Sequence, residues 1–257
     1  MNGQRSSVSG RTALITGAGN GIGRAIALEV ASRGVRVVLT GRNIDKLSAV
    51  QDEIKSDVRI AVCDVSSSAS VEALRRELFD EDISILINNA GIPGPVSDLV
   101  DINVEDWDEV FAINVRGLFL MCKAFLPQMI EQHKGDIINL ASVTGKRPLA
   151  RRTPYSASKM AVIGLTVTLA HEVGPLGVAV NSLSPGPVEG PRMVRNFALE
   201  AERTGTNIEQ AERDFVSRSA LKRMVTEAEV AFAAAAMLEM PGLCGADIDL
   251  SAGMIAR

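Results

Sequence analysis

The stretch Tyr-Ser-Ala-Ser-Lys, residues 155–159, contains the only tyrosine of this 257-residue chain and a lysine four positions after it. In a helix, residues i and i+4 share a face about one turn apart, so Tyr155 and Lys159 could act on the same small volume. A free phenol has a pKa of about 10, and a nearby ammonium lowers that pKa because it favours the phenolate. The pair therefore indicates acid/base chemistry. The alternative is a packing tyrosine whose hydroxyl caps a neighbour.

A glycine-rich turn, Thr-Gly-Ala-Gly-Asn-Gly-Ile-Gly, follows the first apolar run and opens a segment in which Ile22, Ile26 and Val30 recur at helical spacing. Glycines let backbone amides approach a pyrophosphate, and the N-terminus of the following helix favours its negative charge. This strand-to-helix context is the one that a dinucleotide-binding loop requires, although the spacing differs from the common G-x-G-x-x-G. The alternative is a plain tight turn. The candidate cofactor residues of the turn are Gly17, Gly19, Asn20, Gly21, Ile22 and Gly23.

Seven short apolar runs rich in β-branched residues recur along the chain, with amphipathic segments between them. They predict strands over residues 11–17, 35–41, 58–64, 83–89, 135–142, 178–184 and 246–252. Runs that are apolar almost throughout are typical of strands covered on both faces, and strand–helix alternation favours right-handed βαβ units. The sequence thus predicts an α/β fold with a parallel sheet, formed as one domain by residues 1–257.

A charged segment of roughly residues 190–223 interrupts this alternation between the sixth and seventh predicted strands. Connections usually span only a few residues, so a segment of this length predicts one or two additional helices. We interpret it as a helical lid over a substrate site. The alternative is a helical insert with a purely structural role.

Composition and charge argue against several classes of function. The net charge is −4, and basic pairs such as Arg151-Arg152 are too short to suggest nucleic-acid binding. No apolar run approaches the roughly 18 residues of a membrane span, so no membrane insertion is expected. The first ten residues contain no apolar core of a signal peptide.

The cysteines and histidines give no sign of a disulfide framework or a metal centre. Cys63, Cys122 and Cys244 are far apart and have apolar neighbours, so we expect buried free thiols in a reducing cytoplasm. His133 and His171 are isolated from each other in the sequence. No cluster with metal-ligand spacing is present, and no metal is expected.

Four motifs together resemble the short-chain dehydrogenase/reductase family. They are Thr16-Gly17-x3-Gly21-Ile22-Gly23, Asn88-Asn89-Ala90-Gly91, Ser142 and Tyr155-x3-Lys159, in this order. The resemblance extends over nearly the whole chain, from Arg11 to about Gly253. It implies a doubly wound, Rossmann-type sheet of seven parallel strands, a nicotinamide cofactor and usually a homotetramer.

The resemblance also implies a role for each of four residues. Tyr155 would be the catalytic acid/base, and Lys159 would lower its pKa and hold the cofactor ribose. Ser142 follows a predicted strand, at the edge where open α/β sheets build their sites, and its hydroxyl would steady the substrate oxygen. Asn114 matches the helix asparagine of the family, which holds a water in a proton relay to the lysine.

Further cofactor contacts are implied by the same resemblance. Asp64 would contact the adenine ring, with a turn or helix cap as the alternative. The other matching positions are Val65, Asn88, Ala90, Gly91, Pro185, Gly186 and Val188. The family often has a threonine four residues after the glycine of its Pro-Gly pair, where this chain has Gly190. That contact to the nicotinamide carboxamide could be lost or made by backbone.

The end of the second predicted strand favours NADP(H) as the cofactor, with NAD(H) possible. Enzymes that prefer NAD usually place an acid there to bind the ribose 2′-hydroxyl, and here Gly41 and Arg42 stand instead. A guanidinium can bind a 2′-phosphate with two hydrogen bonds, to which Thr40 and Asn43 could add neutral ones. The alternative is that Arg42 only stacks on the adenine. Asn20 stands where many NADP-using relatives carry a second basic residue, so discrimination should be modest.

The apolar residues of segments 107–129 and 155–173 exceed what one sheet face needs; examples are Phe119, Phe125, Val162, Leu165 and Leu169. In relatives the equivalent helices pack across a two-fold axis, and closed symmetry is the norm for homo-oligomers. We therefore expect a homotetramer.

The sequence as a whole predicts an NAD(P)-dependent oxidoreductase that interconverts a small secondary alcohol and a ketone or aldehyde by hydride transfer. The alternatives are a cofactor-linked epimerase or dehydratase of the same fold, and a non-catalytic dinucleotide-sensing protein. A sensor would be expected to lack Tyr155 or Lys159. Arg147, Arg151 and Arg152 lie near the predicted site, and solvated or interface charges are favoured there over contacts to an anionic substrate.

Overall fold

A seven-stranded parallel sheet organises the chain. The computed structural model describes residues 8–255. The strand order is β3-β2-β1-β4-β5-β6-β7. The strands are β1 (Thr12–Thr16), β2 (Arg36–Gly41), β3 (Val58–Val62), β4 (Ile83–Asn88), β5 (Gly135–Leu140), β6 (Val178–Pro185) and β7 (Asp247–Leu250). Each overlaps its predicted run, and the prediction of a doubly wound, Rossmann-type fold is confirmed.

Helices cover both faces of this sheet. They are α1 (Gly21–Ser32), α2 (Ile44–Glu53), α3 (Ser68–Glu77), α4 (Val104–Phe111), α5 (Leu118–Glu131), α6 (Thr153–Val173), α7 (Pro191–Thr204), α8 (Ile208–Val216) and α9 (Glu227–Leu238). Successive strand residues point to opposite faces. Ala13 and Ile15 of β1 therefore pack in one hydrophobic cluster with α1, α2 and α9, whereas Leu14 packs in the other with α3, α5 and α6. The strand order reverses beside β1, and such a switch point opens a crevice at the carboxyl ends of the strands.

Helices α4 and α5 are joined through a π-helical segment, Ala112–Gly117, into one helix that spans Val104–Glu131. Within residues 8–255 this is the one helix long and apolar enough to cross a membrane, judged by length and composition alone. In its most apolar window 44% of the residues are buried inside the protein. Met121, Phe125 and Met129 are buried against one face of the sheet, as in the core helix of a globular fold.

The apolar residues of α5 and α6 do not all point where the sequence prediction of an interface places them. Phe125 and Val162 are buried in the core, so they are unavailable to a second subunit. Leu165 and Leu169 are partly buried against the same core. Phe119 is 47% exposed, and Met160 is 48% exposed. An apolar surface therefore remains on these two helices, but it is smaller than the sequence indicates.

The segment 190–223 contains the two predicted helices, α7 and α8, which build a small hydrophobic cluster of their own. Phe197 and Phe215 meet edge to face at 5.5 Å between ring centroids. Met193, Ala201 and Ala211 complete the cluster. The helices are thus packed against each other, while their role as a lid, like the division of the chain into domains, stays a prediction.

The predicted burial of the cysteines is correct for two of the three. Cys63 and Cys122 are buried, and burial raises the pKa of the Cys122 thiol to about 12. Cys244 is exposed because it lies in the turn between α9 and β7, where the chain runs over the surface. No group of three or more His, Cys, Asp and Glu side chains that could hold a metal ion occurs within residues 8–255.

A buried ion pair joins three neighbouring strands at the end of the sheet opposite the crevice. Arg11, directly before β1, donates to Asp136 of β5 at 2.7 Å. It also donates to the carbonyl of Ser84 in β4 at 2.6 Å and to the hydroxyl of the same serine at 3.2 Å. Both charged side chains are 8% exposed. Arg11 therefore provides an ion-pair partner for Asp136 and hydrogen bonds for Ser84, two polar residues that the parallel sheet buries.

We predict that Arg11→Met lowers the free energy of unfolding by about 3 kcal/mol, because it removes the Arg11 cation from the buried Asp136 carboxylate and its hydrogen bonds to Ser84. Urea titration followed by circular dichroism measures the change. Arg203→Met is the matched control: it removes an exposed arginine whose partner is Glu200, and should lower the free energy of unfolding much less. Equal effects of the two substitutions would contradict a structural role for the Arg11 pair.

Candidate functional site

A cleft of about 570 Å³ lies at the carboxyl ends of β1, β4 and β5. It is the place where an open α/β sheet binds its ligands. The predicted site residues that line it are Gly17, Asn20, Gly21, Ile22, Gly23, Arg42, Asp64, Val65, Ala90, Gly91, Ser142, Tyr155, Lys159, Pro185, Gly186 and Val188. The fold therefore collects into one volume residues that are spread from position 17 to position 188 in the sequence.

The glycine-rich turn has the backbone conformation that its composition predicts. Gly17 has φ 65° and Gly21 has φ 56°, in the left-handed region that side chains disfavour. A Cβ on Gly23 would lie 2.3 Å from the carbonyl oxygen of Gly17, so only glycine fits there. The first turn of α1 carries no acidic residue, and the side chain of Asn20 makes no capping hydrogen bond. The amides at the start of α1 are thus available to an anion such as a pyrophosphate.

A pair of polar residues fixes this turn to the end of β4. The Thr16 hydroxyl accepts hydrogen bonds from the amides of Asn89 and Ala90, at 2.9 and 3.0 Å. The Asn89 side chain donates to the carbonyls of Thr16 and Gly17, at 2.9 and 3.2 Å. Sequence reasoning counted Thr16 and Asn89 as parts of motifs only. Their structural role is to hold two walls of the cleft in register.

Tyr155 and Lys159 lie on the first turns of α6, and both side chains reach the cleft. The Lys159 ammonium lies 5.7 Å from the centroid of the Tyr155 ring. It donates a hydrogen bond of 2.6 Å to the carbonyl of Leu140 at the end of β5. The predicted juxtaposition of phenol and ammonium is therefore present, and the ammonium is anchored to the sheet.

The electrostatic surroundings of Tyr155 favour the phenolate. Burial acts to raise the pKa of the phenol, but the positive charges of Lys159, Arg192 and Arg152 and the hydroxyl of Ser142 outweigh it. The net effect is a pKa below the ordinary value of 10. Burial also lowers the pKa of Lys159, and the positive charge of Arg192 adds to that shift.

Asn114 lies beside the cleft wall, in the π-helical segment between α4 and α5. Its side chain accepts from the Ile92 amide at 2.8 Å and donates to the Ile92 carbonyl at 3.0 Å. It also donates to the Ser158 hydroxyl at 3.0 Å, and that hydroxyl donates to the carbonyl of Tyr155 at 2.8 Å. One asparagine thus ties the loop after β4 to the start of α6. Sequence reasoning missed Ser158, although it stands inside the Tyr-Ser-Ala-Ser-Lys motif.

At the far end of the cleft, Arg42 follows β2 and faces Asp64 and Val65. The Asp64 carboxylate accepts from the amide and the hydroxyl of Ser66 at 2.9 and 2.7 Å, and these contacts, with Arg42 nearby, hold its pKa below the usual range. Asp64 thus stabilises a turn and also lines the cleft, so both interpretations of this residue fit its position.

Two residues expected beside Arg42 are engaged elsewhere. Thr40 is fully buried in β2 and does not line the cleft. Asn43 is the N-cap of α2, where its side chain accepts from the amide of Lys46 at 3.0 Å. Arg42 is therefore the residue at this strand end whose polar group faces the cleft.

Three predicted site residues lie outside the lining of the cleft. Gly19 packs on α2, where a Cβ would lie 3.0 Å from the Cβ of Lys46. The side chain of Asn88 points into the core and donates to Asn139 at 2.9 Å. The side chain of Asn114 faces Ile92 and Ser158, as described above. These residues shape the cleft from behind, and a direct contact to a cofactor stays a prediction.

The structure brings two further arginines to the cleft. Arg192 and Arg195, from the first turns of α7, line it together with Tyr155 and Ser142. The sequence pattern marks the segment 190–223 as an insert but does not show which of its many charges turn inward. Arg152 is partly buried at the start of α6, in contrast to the solvated charge favoured from the sequence.

Comparison with known proteins agrees with this geometry. A family model described as short chain dehydrogenase matches residues 11–202. The chain is 38% identical over 200 residues to an NADPH-dependent pterin aldehyde reductase of Arabidopsis thaliana, over 76% of this chain and 82% of that protein. It is 35% identical over 186 residues to an uncharacterised oxidoreductase of Staphylococcus epidermidis, over 72% of this chain and 80% of that protein.

Solved structures are similar over almost the whole chain. A variant of actinorhodin polyketide ketoreductase with NADPH superposes with a TM-score of 0.89 at 31% identity, over 97% of this chain and 98% of that one. An NAD⁺-bound xylitol dehydrogenase superposes with a TM-score of 0.90 at 30% identity, over 96% of this chain and all of that one. With the family model matching most of its length, the chain belongs to the short-chain dehydrogenase/reductase family.

Proposed function

We propose that this oxidoreductase interconverts a secondary alcohol and a ketone, or a primary alcohol and an aldehyde, with NADP(H) as the favoured cofactor. The observation that carries the proposal is the Tyr155 phenol, held in the cleft beside Ser142 and next to the buried Lys159 ammonium. A phenol whose pKa is lowered by fixed positive charge is suited to accept and return a hydroxyl proton. The contacts of the cleft residues described above do not favour an epimerase or a non-catalytic sensor over this reaction.

In the proposed oxidation, the Tyr155 phenolate removes the proton of the substrate hydroxyl while the carbinol carbon loses its hydride. A nicotinamide held in the cleft would supply the acceptor for this hydride, and in reduction the two transfers would be reversed. Ser142 donates a hydrogen bond to the substrate oxygen and keeps it within reach of the phenol. Lys159 stabilises the phenolate and, with Asn114 behind it, passes the proton on through water.

The cleft residues fit a dinucleotide with its adenosine end near Arg42 and its nicotinamide end near Tyr155. The glycine turn and the start of α1 would hold the pyrophosphate, while Asp64 and Val65 would flank the adenine and Arg42 would bind a ribose 2′-phosphate. The loop Pro185–Val188 lies beside the opposite end of the cleft, near Tyr155, where the nicotinamide belongs. The names of an NADPH-dependent and an NADPH-bound relative support NADP(H), and that of an NAD⁺-bound one keeps NAD(H) possible.

We further propose that α7 and α8 act as a lid, that the protein works in the reducing cytoplasm, and that it is a homotetramer. Pro191, Arg192 and Arg195 of α7 border the cleft, so a movement of this helix would open or close the side next to Tyr155. The exposed apolar side chains of α5 and α6 offer a surface for a two-fold partner.

We predict that Tyr155→Phe lowers kcat by about 10²- to 10⁴-fold, because the hydroxyl that transfers the proton is missing. Absorbance of the nicotinamide at 340 nm, measured with a panel of alcohols and ketones, detects the change. Cofactor affinity and melting temperature serve as controls and should stay near those of the wild type. Retention of more than a tenth of kcat in the variant would show that Tyr155 is not the acid/base.

In the wild type, we predict that the rate of alcohol oxidation rises with pH with a midpoint below about 10, because the phenolate is the base and its pKa is lowered.

We predict that Arg42→Ala lowers kcat/KM for NADPH about ten- to hundredfold and leaves that for NADH nearly unchanged, because only the former offers a 2′-phosphate. Lys55→Ala is the matched control, since it removes an exposed positive charge beyond the other end of α2. Initial rates with both cofactors give the comparison. A wild type that works better with NADH, or an equal loss for both cofactors, would contradict the assignment.

We predict a tetrameric mass, or at least a dimeric one, in light scattering at micromolar concentration. Phe119→Glu should lower that mass because it places a charge on the exposed apolar surface of α5. Glu202→Gln, an exposed change on α7, serves as the control. A monomeric wild type would refute the assembly.

A further inference from the structure

Two guanidinium groups line the cleft near Tyr155, and a third, that of Arg152, lies behind this lining, where its charge acts on the phenol. Arg192 and Arg195 come from the first turns of α7 and line the cleft directly. They lie three positions apart on the helix, so they share one face, while Met193 and Phe197 point to the buried cluster on the other. Arg152 comes from the residue directly before α6, three positions before Tyr155.

Arg152 is held in place by its neighbours. Its guanidinium donates to the Asn196 side chain of α7 at 2.9 Å and, weakly, to the Pro93 carbonyl at 3.4 Å. Both partners are neutral, so neither balances the positive charge. Burial lowers the pKa of Arg152, which means that water solvates this cation poorly. The negative charge of the Tyr155 phenolate favours the charged form of Arg152, and a bound anion would add to that effect.

The positive charges in this region oppose one another. The field of Arg192 acts against the charged forms of both Arg152 and Lys159. Within residues 8–255, no carboxylate lies within ion-pair distance of Arg152, Arg192 or Arg195. The region thus concentrates positive charge in a cleft, which is the arrangement that attracts and orients an anionic ligand.

The three acidic residues of the cleft do not balance this charge. Asp64 lies near Arg42, away from these three arginines. Glu227 stands beside the glycine turn, where its carboxylate oxygen lies 3.6 Å from the position of a Cβ on Gly21, and its charge acts on Arg24. The charge of Glu189 acts on Arg223. None of them is within ion-pair distance of the three arginines. The excess of positive charge therefore belongs to the side of the cleft where Tyr155 lies.

The geometry points to an anionic substrate: we propose that Arg192 binds the carboxylate of an oxo acid or hydroxy acid, with the charge of Arg152 behind the cleft lining in support, while its carbonyl or hydroxyl oxygen lies at Tyr155 and Ser142. Arg195 lies about one helical turn further along α7 and also lines the cleft. The inference rests on the proposed function and specifies its substrate class. The cofactor pyrophosphate is the other possible source of an anion. The glycine turn and the start of α1 already provide for it, whereas the two arginines act on the proton-transfer residue.

The test compares pyruvate, acetoacetate and levulinate with their methyl esters, using NADPH and the wild type, Arg192→Gln and Arg152→Gln. We expect the wild type to prefer at least one acid to its ester, and each variant to lower kcat/KM for that acid about ten- to hundredfold. The ester should lose much less than the acid, because the weaker positive field at Tyr155 affects both substrates alike, and KM for NADPH should stay unchanged. Arg213→Gln is the matched control, since it removes an exposed arginine of α8 away from the cleft.

Two results would overturn the proposal. One is equal kcat/KM for acid and ester throughout the panel. The other is a rise in KM for NADPH in Arg192→Gln with the preference for the acid unchanged, which would assign this arginine to the pyrophosphate. Arg152→Gln could disturb folding because the contact to Asn196 is lost. Arg192→Gln still tests the proposal in that case, since Arg192 is exposed.

Calorimetry separates this inference from the proposed function. The acids and esters are titrated into the Tyr155→Phe variant with bound NADPH, with and without Arg192→Gln, where no turnover is needed. Binding that requires both the carboxylate and Arg192 would support the anion subsite even if the wild type reduced none of these compounds. Absence of any carboxylate-dependent binding would overturn the subsite, whether or not the enzyme reduces neutral ketones.

Discussion

The burial of the Lys159 ammonium is the constraint on which the rest of the site depends. Removing a cation from water is costly unless close partners replace the water, and here the carbonyl of Leu140 and the phenol of Tyr155 do so. Both partners must be brought to within a few ångströms, which joins the end of β5 to the first turns of α6. Gly145 permits this approach, because a Cβ there would lie 2.9 Å from the backbone of Lys159. Gly91 leaves room on the other side, where a Cβ would lie 3.6 Å from the ammonium nitrogen.

Most of the fold can be predicted from the sequence because its signals are local. Each strand is a short β-branched run covered on both faces, and glycine, proline or polar residues end it. The cleft side chains that a strand end presents, such as Ser142 and Arg42, follow from those boundaries. The prediction that Cys244 is buried was wrong, because it relied on the apolar neighbours of this residue, whereas the chain there forms a surface turn. Phe125 and Val162 were misassigned to an interface because a long apolar helix does not show in its sequence which side faces the sheet.

Other parts of the site arise only from contacts between distant segments. The position of Asn114 depends on the π-helical segment, which places its side chain against the loop after β4 and the hydroxyl of Ser158. No residue pattern in Ala112–Gly117 indicates that the helix changes from α to π there. The position of Arg192 at the cleft depends in the same way on how α7 packs through Met193 and Phe197. Sequence reasoning identifies such charged inserts but not the face that they present.

The same cations serve the phenol and the anionic substrate inferred above, so the two functions are coupled. In the free cleft, Lys159, Arg192 and Arg152 together hold the pKa of Tyr155 below its ordinary value. A carboxylate bound at Arg192 would cancel part of that field and raise the pKa of the phenol again. The phenolate would then become a stronger base at the moment when a hydroxyl is beside it. Lys159, anchored to Leu140 rather than to the substrate, would keep its own influence throughout. Lys159 thus lowers the pKa of the phenol whether or not substrate is bound, whereas the effect of the arginines on that pKa depends on whether an anionic substrate is bound.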